Sequence, residues 1–268
     1  MSKIEELLDV FVIHYSKLSD RREFLESRVS NLMPVHWITE ESVEFIPLKI
    51  SDAREILGIS PRLIGMDLGI NSRSLTRSRQ KAKLEGYQLL LASYIDKRRE
   101  NLFASQIQNR TRLQRGILEN LQQHIHAMGR GATSDKPFIL ILEDDAVPNV
   151  NVWNEIEEYL ISSSQKRLFA FVGSGAELTR TSSDKHIDRF GFYSTGTFCS
   201  RTAVATLYSR DVLQGAHHLI SKYGVPDWMP IDYLLQALAR KMRIRTLWQD
   251  PPWFAQGSEN GLFKSSLR

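Results

Sequence analysis

Glu143, Asp144 and Asp145 stand in a row at the end of an apolar run, Phe138-Ile139-Leu140-Ile141-Leu142. Adjacent carboxylates repel one another unless a cation or hydrogen-bond donors sit between them. Hard divalent cations, Mg²⁺ and Mn²⁺ among them, favour carboxylate oxygen. Alternate residues of an extended chain share a face, so Glu143 and Asp145 are paired as candidate metal ligands, with Asp145 the principal one. The bland alternative is an acidic turn that caps the helix expected over 151–163. An unbroken Ile/Leu run of this kind is expected of a strand buried on both faces. Ligands of open α/β sheets bind beyond the carboxyl ends of such strands, which is where the three acids stand.

The surrounding pattern alternates strand and helix, which places the chain in the α/β class. Residues 9–15 read as a first strand, followed by a turn whose Ser19 or Asp20 caps a helix beginning at Arg21. Short apolar pieces follow at 35–38 and 43–48, then helical patterns over 52–59, 73–100 and 102–128. Gly129 to Asp135 reads as a flexible loop. Beyond the acidic strand come a helix over 151–163, a strand at 168–172, a mobile loop at 177–188 and a strand at 190–199. A helix over 201–221, a helix from Pro230 to about Arg240 and a last strand at 243–248 complete the pattern. The tail from Pro251 reads as a loop that folds back over something.

Length and composition set limits. A chain of 268 residues with 42% hydrophobic and 25% charged residues suits one soluble globular domain. No apolar run is long enough to span a bilayer. The first ten residues hold two Glu early and no long apolar stretch, so no secretory signal is expected. The single cysteine, Cys199, has no internal disulfide partner, and a reducing, cytoplasmic setting is the expectation. The net charge is +4, but the basic residues are uneven: residues 73–115 hold eleven Lys and Arg against three acids. That stretch is expected either to be a solvated helix face or to contact an anionic membrane surface, acceptor or nucleic acid.

Several short motifs then fall into one order. Phe11-Val12-Ile13-His14-Tyr15 leads to Asp20-Arg21-Arg22; Ile141-Leu142-Glu143-Asp144-Asp145-Ala146 follows. Gly196-Thr197-Phe198-Cys199-Ser200-Arg201-Thr202-Ala203, Pro230-Ile231-Asp232, and Pro251-Pro252 through Gln256 and Ser258 complete the series. Together they resemble glycosyltransferase family 25, the lipooligosaccharide-biosynthesis and collagen galactosyltransferase family. The acidic motif is similar to that family's Leu-Glu-Asp-Asp version of a DXD site. One departure is that the family's Ser-His pair, on the helix before the acidic strand, has no counterpart at Asn109-Arg110-Thr111-Arg112. The basic stretch also looks longer than the family's connection.

The resemblance implies a GT-A-like nucleotide-diphospho-sugar transferase fold. That means a mostly parallel central sheet flanked by helices, here one domain over 1–268 with a basic helical insertion around 66–128. It implies a Mn²⁺- or Mg²⁺-dependent hexosyltransferase with a nucleotide-sugar donor, UDP-sugar favoured. The acceptor is a hydroxyl, expected on a surface glycan, and transfer is expected to be inverting, in the cytoplasm or at the inner membrane face. Asp145 and Glu143 then hold the metal. His14, Tyr15, Ser16, Arg21 and Arg22 line the donor at the first strand's end, an arginine pairing with phosphate. Asp144 is assigned to the ribose, and Gln256 and Ser258 close over the donor phosphates. Asp232 is the candidate general base, with Asp227 second; the plain alternative for Asp232 is a helix-terminal acid. Trp228, Trp248 and Trp253 are candidate sugar-stacking rings or core. Two rival readings remain: a metal-dependent phosphoryl or nucleotidyl transferase, which lacks a phosphate-cradling glycine loop, and a nucleic-acid-binding protein using 73–115, which lacks interleaved aromatics.

Overall fold

The computed structural model describes residues 3–30, 33–40, 107–163, 167–174, 184–194, 202–223 and 231–264. The pieces expected at 43–48, 52–59 and 73–100 lie outside those residues, as do Gly196 to Arg201, Asp227, Trp228 and Pro230.

The acidic strand is β3, Phe138–Glu143. Ile139, Leu140, Ile141 and Leu142 have no exposed surface, as expected of a strand covered on both sides. β1 (Leu8–Ile13) lies parallel beside it, and β2 (Val35–Ile38) lies parallel beside β1. The remaining strands are β4 (Ala146–Pro148), β5 (Phe169–Phe171), β6 (Lys185–His186), β7 (Phe192–Ser194), β8 (Ala205–Ser209), β9 (Leu247–Gln249) and β10 (Phe254–Gln256). Eight of them form one sheet in the order β2-β1-β3-β8-β5-β9-β7-β6. The expected α/β class with a large helix-flanked sheet is therefore present. Pairing is parallel on the β2-β1-β3 side, and antiparallel strands enter beyond it: β8 runs against both β3 and β5.

The helices cover the two faces. α1 (Lys3–Leu7), α2 (Ser19–Leu25), a π-turn (Glu26–Ser30) and α4 (Val152–Ser162) cover one; α3 (Ile107–Ala132), α5 (Arg210–Tyr223) and α6 (Ile231–Lys241) cover the other. Strand alternation divides the apolar side chains between them. Val10, Val12, Leu140 and Leu142 join Ile4, Leu25, Ile156 and Tyr159 in one cluster. Phe11, Ile13, Ile139 and Ile141 join Leu121, Met128, Leu213 and Leu235 in the other. Among the described residues no helix is long and apolar enough to cross a membrane.

Three expectations change. Residues 201–221 are not one helix: Ala205–Ser209 is a strand in the middle of the sheet, and the helix begins at Arg210. All five residues of β8 are buried, and a short, fully buried apolar run carries no periodicity to separate strand from helix. Gly129 to Ala132 is not loop but the last turn of α3. A Cβ on Gly131 would stand 2.9 Å from Leu213 and 3.0 Å from Ile139, so glycine here lets α3 press against α5 and β3. The end of α3 also carries Leu121, Ala127 and Met128 into the core, so the expected insertion over 66–128 ends as a core element. Finally, α2 starts after Leu18 without a side-chain cap from Ser19 or Asp20.

Candidate active site at the carboxyl end of the central strands

The pairing of Ile13 with Glu143 brings the ends of β1 and β3 side by side. β3 stops at Glu143, and Asp144 and Asp145 form a turn before β4. The three carboxylates point at three different partners.

Asp144 turns toward β1 and α2. Its Oδ2 accepts from the Tyr15 backbone N–H at 3.1 Å and faces His14 Nδ1 at 3.1 Å; its Oδ1 accepts from Arg21 at 2.5 Å. Both oxygens are thus engaged within the protein. Arg21 is 3% exposed and gives its other nitrogen to the carbonyl of Lys264 at 2.5 Å. Arg21 and Asp144, expected at the donor phosphate and ribose, pair with each other as a buried clamp between α2, the acidic turn and the tail. His14 is buried inside that clamp. Arg22, one residue on, is half-exposed; it pairs with Glu26 at 2.8 Å and stacks over Trp37. Ser16 is exposed and held through both its backbone N–H (3.0 Å) and its hydroxyl by Glu40. Tyr15 stands between, partly exposed, with Lys17 near its ring.

Glu143 turns toward α3. Its Oε1 accepts from Asn120 at 3.0 Å and meets His124 Nε2 at 3.2 Å. A histidine further along the same helix does reach the acidic motif: His124, one turn beyond Asn120, is wholly buried and faces Glu143. The next residue back, Gln123, donates to the carbonyl of His14 at 3.1 Å and ties α3 to the end of β1. Asn120, Gln123, His124 and Glu40 are the contacts that sequence reading missed. A signal existed for the first three. Polar residues sit on the same stripe of α3 as Leu121, Ala127 and Met128, and a buried polar side chain needs a partner.

Asp145 turns toward the tail. β10 pairs antiparallel with β4, with Gln256 opposite Ala146, so the chain does fold back over the acidic turn. The Ser258 hydroxyl donates to Asp145 Oδ2 at 2.5 Å, and the Gly257 N–H donates to the Asp145 carbonyl at 2.7 Å. Asp145 Oδ1 is buried without a partner. Burial, then the nearby charge of Glu143, push its carboxyl up to about 6, against the pull of Ser258 and Arg21. Gln256 is partly exposed at the same edge.

Asp232 enters from the first turn of α6. It accepts from the Ala203 backbone N–H, just ahead of β8. The residue as a whole keeps some exposure, yet its Oδ1 is enclosed and unpartnered. Burial and then the charge of Glu143 push it up to about 7. Glu143 is thus within electrostatic reach of both Asp145 and Asp232, and the fold gathers three acids from β3, the turn and α6.

Among the described residues no group of three or more His, Cys, Asp or Glu side chains forms a metal-holding set. Mg²⁺ commonly takes only one or two protein carboxylates, with substrate phosphate and water supplying the rest. The orphaned Asp145 Oδ1, crowded by Glu143, fits that lesser demand. Of the candidate tryptophans, the two among the described residues are packed. Trp248 is buried in the core, and Trp253 lies against Tyr159 and Phe192 while its Nε1 donates to Glu155 at 2.8 Å. Compared with known proteins, the chain matches no family model and no curated protein.

Proposed function

We propose that this protein is a metal-dependent glycosyltransferase that moves a sugar from a nucleotide-diphosphate donor to an acceptor hydroxyl. The observation that carries the reading is the pair of enclosed, unpartnered carboxylate oxygens, Asp145 Oδ1 and Asp232 Oδ1, both within electrostatic reach of Glu143. The order of motifs resembling glycosyltransferase family 25 supports the same reaction.

Asp145 and Glu143 would hold the divalent cation, which when bound offsets the negative charge that gathers on a departing diphosphate. Asn120 and His124 orient Glu143 from behind, leaving its second oxygen for that task. Ser258 holds Asp145 from the tail side. The Arg21–Asp144 clamp keeps the β1 end and the acidic turn in one register, and Tyr15, Ser16 and Arg22 stand beside it facing outward. Asp232 takes the proton of the acceptor hydroxyl as its oxygen bonds to the anomeric carbon; the bond to the diphosphate breaks with its electron pair leaving on phosphate oxygen. A carboxyl near 7 is well matched to that step, because it is largely ionised only slightly above neutral pH and binds the proton strongly enough to compete for it. A single displacement of this kind inverts the anomeric centre.

Thermal unfolding with a panel of nucleotides and nucleotide-sugars, with and without Mn²⁺, tests this. One member should stabilise the chain only with metal. Asp145→Asn should abolish that shift, whereas Asp232→Asn should keep it and lose transfer by about a hundredfold or more. A panel without any Mn²⁺-dependent shift, or a full shift in Asp145→Asn, refutes the assignment.

A further inference from the structure

At the opposite end of the sheet, three arginines meet. β5 and β9 run parallel, and Arg167 precedes β5 while Arg243 and Arg245 precede β9, so all three collect at the strands' amino ends. With Ile187, Ile244 and Leu247 they line a cleft of about 280 Å³. None of the three arginines has a carboxylate within ion-pair distance among the described residues. Arg167 reaches across to the Met242 carbonyl at 3.4 Å and ties the two stretches together.

The backbone at Arg243 is the second observation. α6 ends with the Ile244 N–H bonded to the Ala239 carbonyl (2.8 Å) and the Arg243 N–H bonded to the Arg240 carbonyl (3.0 Å). That pair of bonds is the Schellman ending, and the residue at its left-handed position is usually glycine. Here it is Arg243, at φ 55°. Basic residues inside the last helical turn, such as Arg240 and Lys241, are accounted for by the helix dipole. Arg243 and Arg245 lie past the helix end and are not. An arginine held where glycine is favoured, beside two more unpaired arginines over an apolar floor, has a local conformational cost and no internal partner to offset it.

We propose that this cleft is a binding site for a phosphate group, separate from the acidic site. Guanidinium forks match phosphate oxygens bidentately, and the small volume suits a phosphate or a phospholipid headgroup rather than a larger ligand. Ile187, Ile244 and Leu247 supply the apolar wall against which the rest of a phosphate ester rests.

The test uses the full chain in EDTA, which keeps metal-borne phosphate off the acidic site. Thermal unfolding is followed as chloride is exchanged for inorganic phosphate at constant ionic strength. Cosedimentation is measured in parallel with vesicles of phosphatidylcholine alone and with added phosphatidylglycerol. A rise in Tm with phosphate identifies a soluble phosphate; sedimentation only with phosphatidylglycerol identifies a lipid phosphate. Either response should weaken by about tenfold or more in Arg167→Gln/Arg245→Gln and in Arg243→Gly. The glycine variant guards against misfolding, since glycine suits its backbone position. Absence of both responses, or responses unchanged in the two variants, overturns the proposal.

Discussion

Two neighbouring arginines on α2 show how position decides the worth of a charge. Arg22 and Glu26 are about 45% exposed and pair across one helical turn; such a contact is worth at most about 0.5 kcal/mol. Arg21 is almost fully buried against Asp144 and the Lys264 carbonyl. Removing it leaves a largely buried carboxylate with only His14 and the Tyr15 N–H, a loss that costs about 3–5 kcal/mol. Arg21→Ala should therefore lower stability in urea unfolding by that amount, and Arg22→Ala by less than about 0.5 kcal/mol. Equal small effects would show that the clamp is not holding the acidic turn. The sequence places both arginines beside the donor and assigns one of them to phosphate without choosing, because nothing in Asp20-Arg21-Arg22 says which of the two faces inward. That is settled by the rotation of α2 against β1 and by a tail residue more than two hundred positions away.

At the scale of elements, the helix ends carry the information. The left-handed residue closing α6 is Arg243. Replacing it with glycine removes the steric cost of a side chain in that conformation. Arg243→Gly should therefore raise stability by about 1 kcal/mol in phosphate-free buffer, measured by chemical unfolding. A destabilised variant would mean that the arginine side chain supports the fold, and would remove the argument that it is retained for binding. The end of α3 shows the converse. Gly129 and Gly131 look like loop residues in the sequence, yet Gly131 is the thin spot where α3 meets Leu213 and Ile139. A glycine required by close approach and a glycine required by a turn are indistinguishable until the neighbour is known. β8 was misread for a related reason: buried on both faces, it lacks the alternation that marks a strand.

At the scale of the whole molecule, the acidic end of the sheet is held at some expense in stability. Asp145 and Asp232 titrate at about 6 and about 7 in the folded chain, against an ordinary value of 3.8. Folded chains then bind these protons more tightly than unfolded ones, so stability without metal should fall as pH rises between about 4 and 7. Unfolding free energies measured in EDTA across that window should decline, and Asp145→Asn should flatten the lower part of the decline and stabilise the chain at neutral pH. Divalent cation should recover part of the loss by binding the folded state. A metal-free profile that rises across the window would contradict the burial of these acids.

The sequence alone determined the α/β class, the doubly buried β3 and the acids at its carboxyl end. Each is written in a contiguous stretch: an apolar run followed by charge, governed by local periodicity and by burial. It also pointed to a tail that returns over the site, and β10 does pair with β4 beside Asp145. Only the tertiary structure decided what each acid does. Asp144 is consumed by Arg21 and His14, Glu143 is oriented by His124 and Asn120, and Asp145 and Asp232 keep an oxygen free. The reason is that partners of a buried charge come from whatever elements the fold brings to it. For the acids those elements are separated by as many as 130 residues, a distance at which sequence spacing carries no geometry.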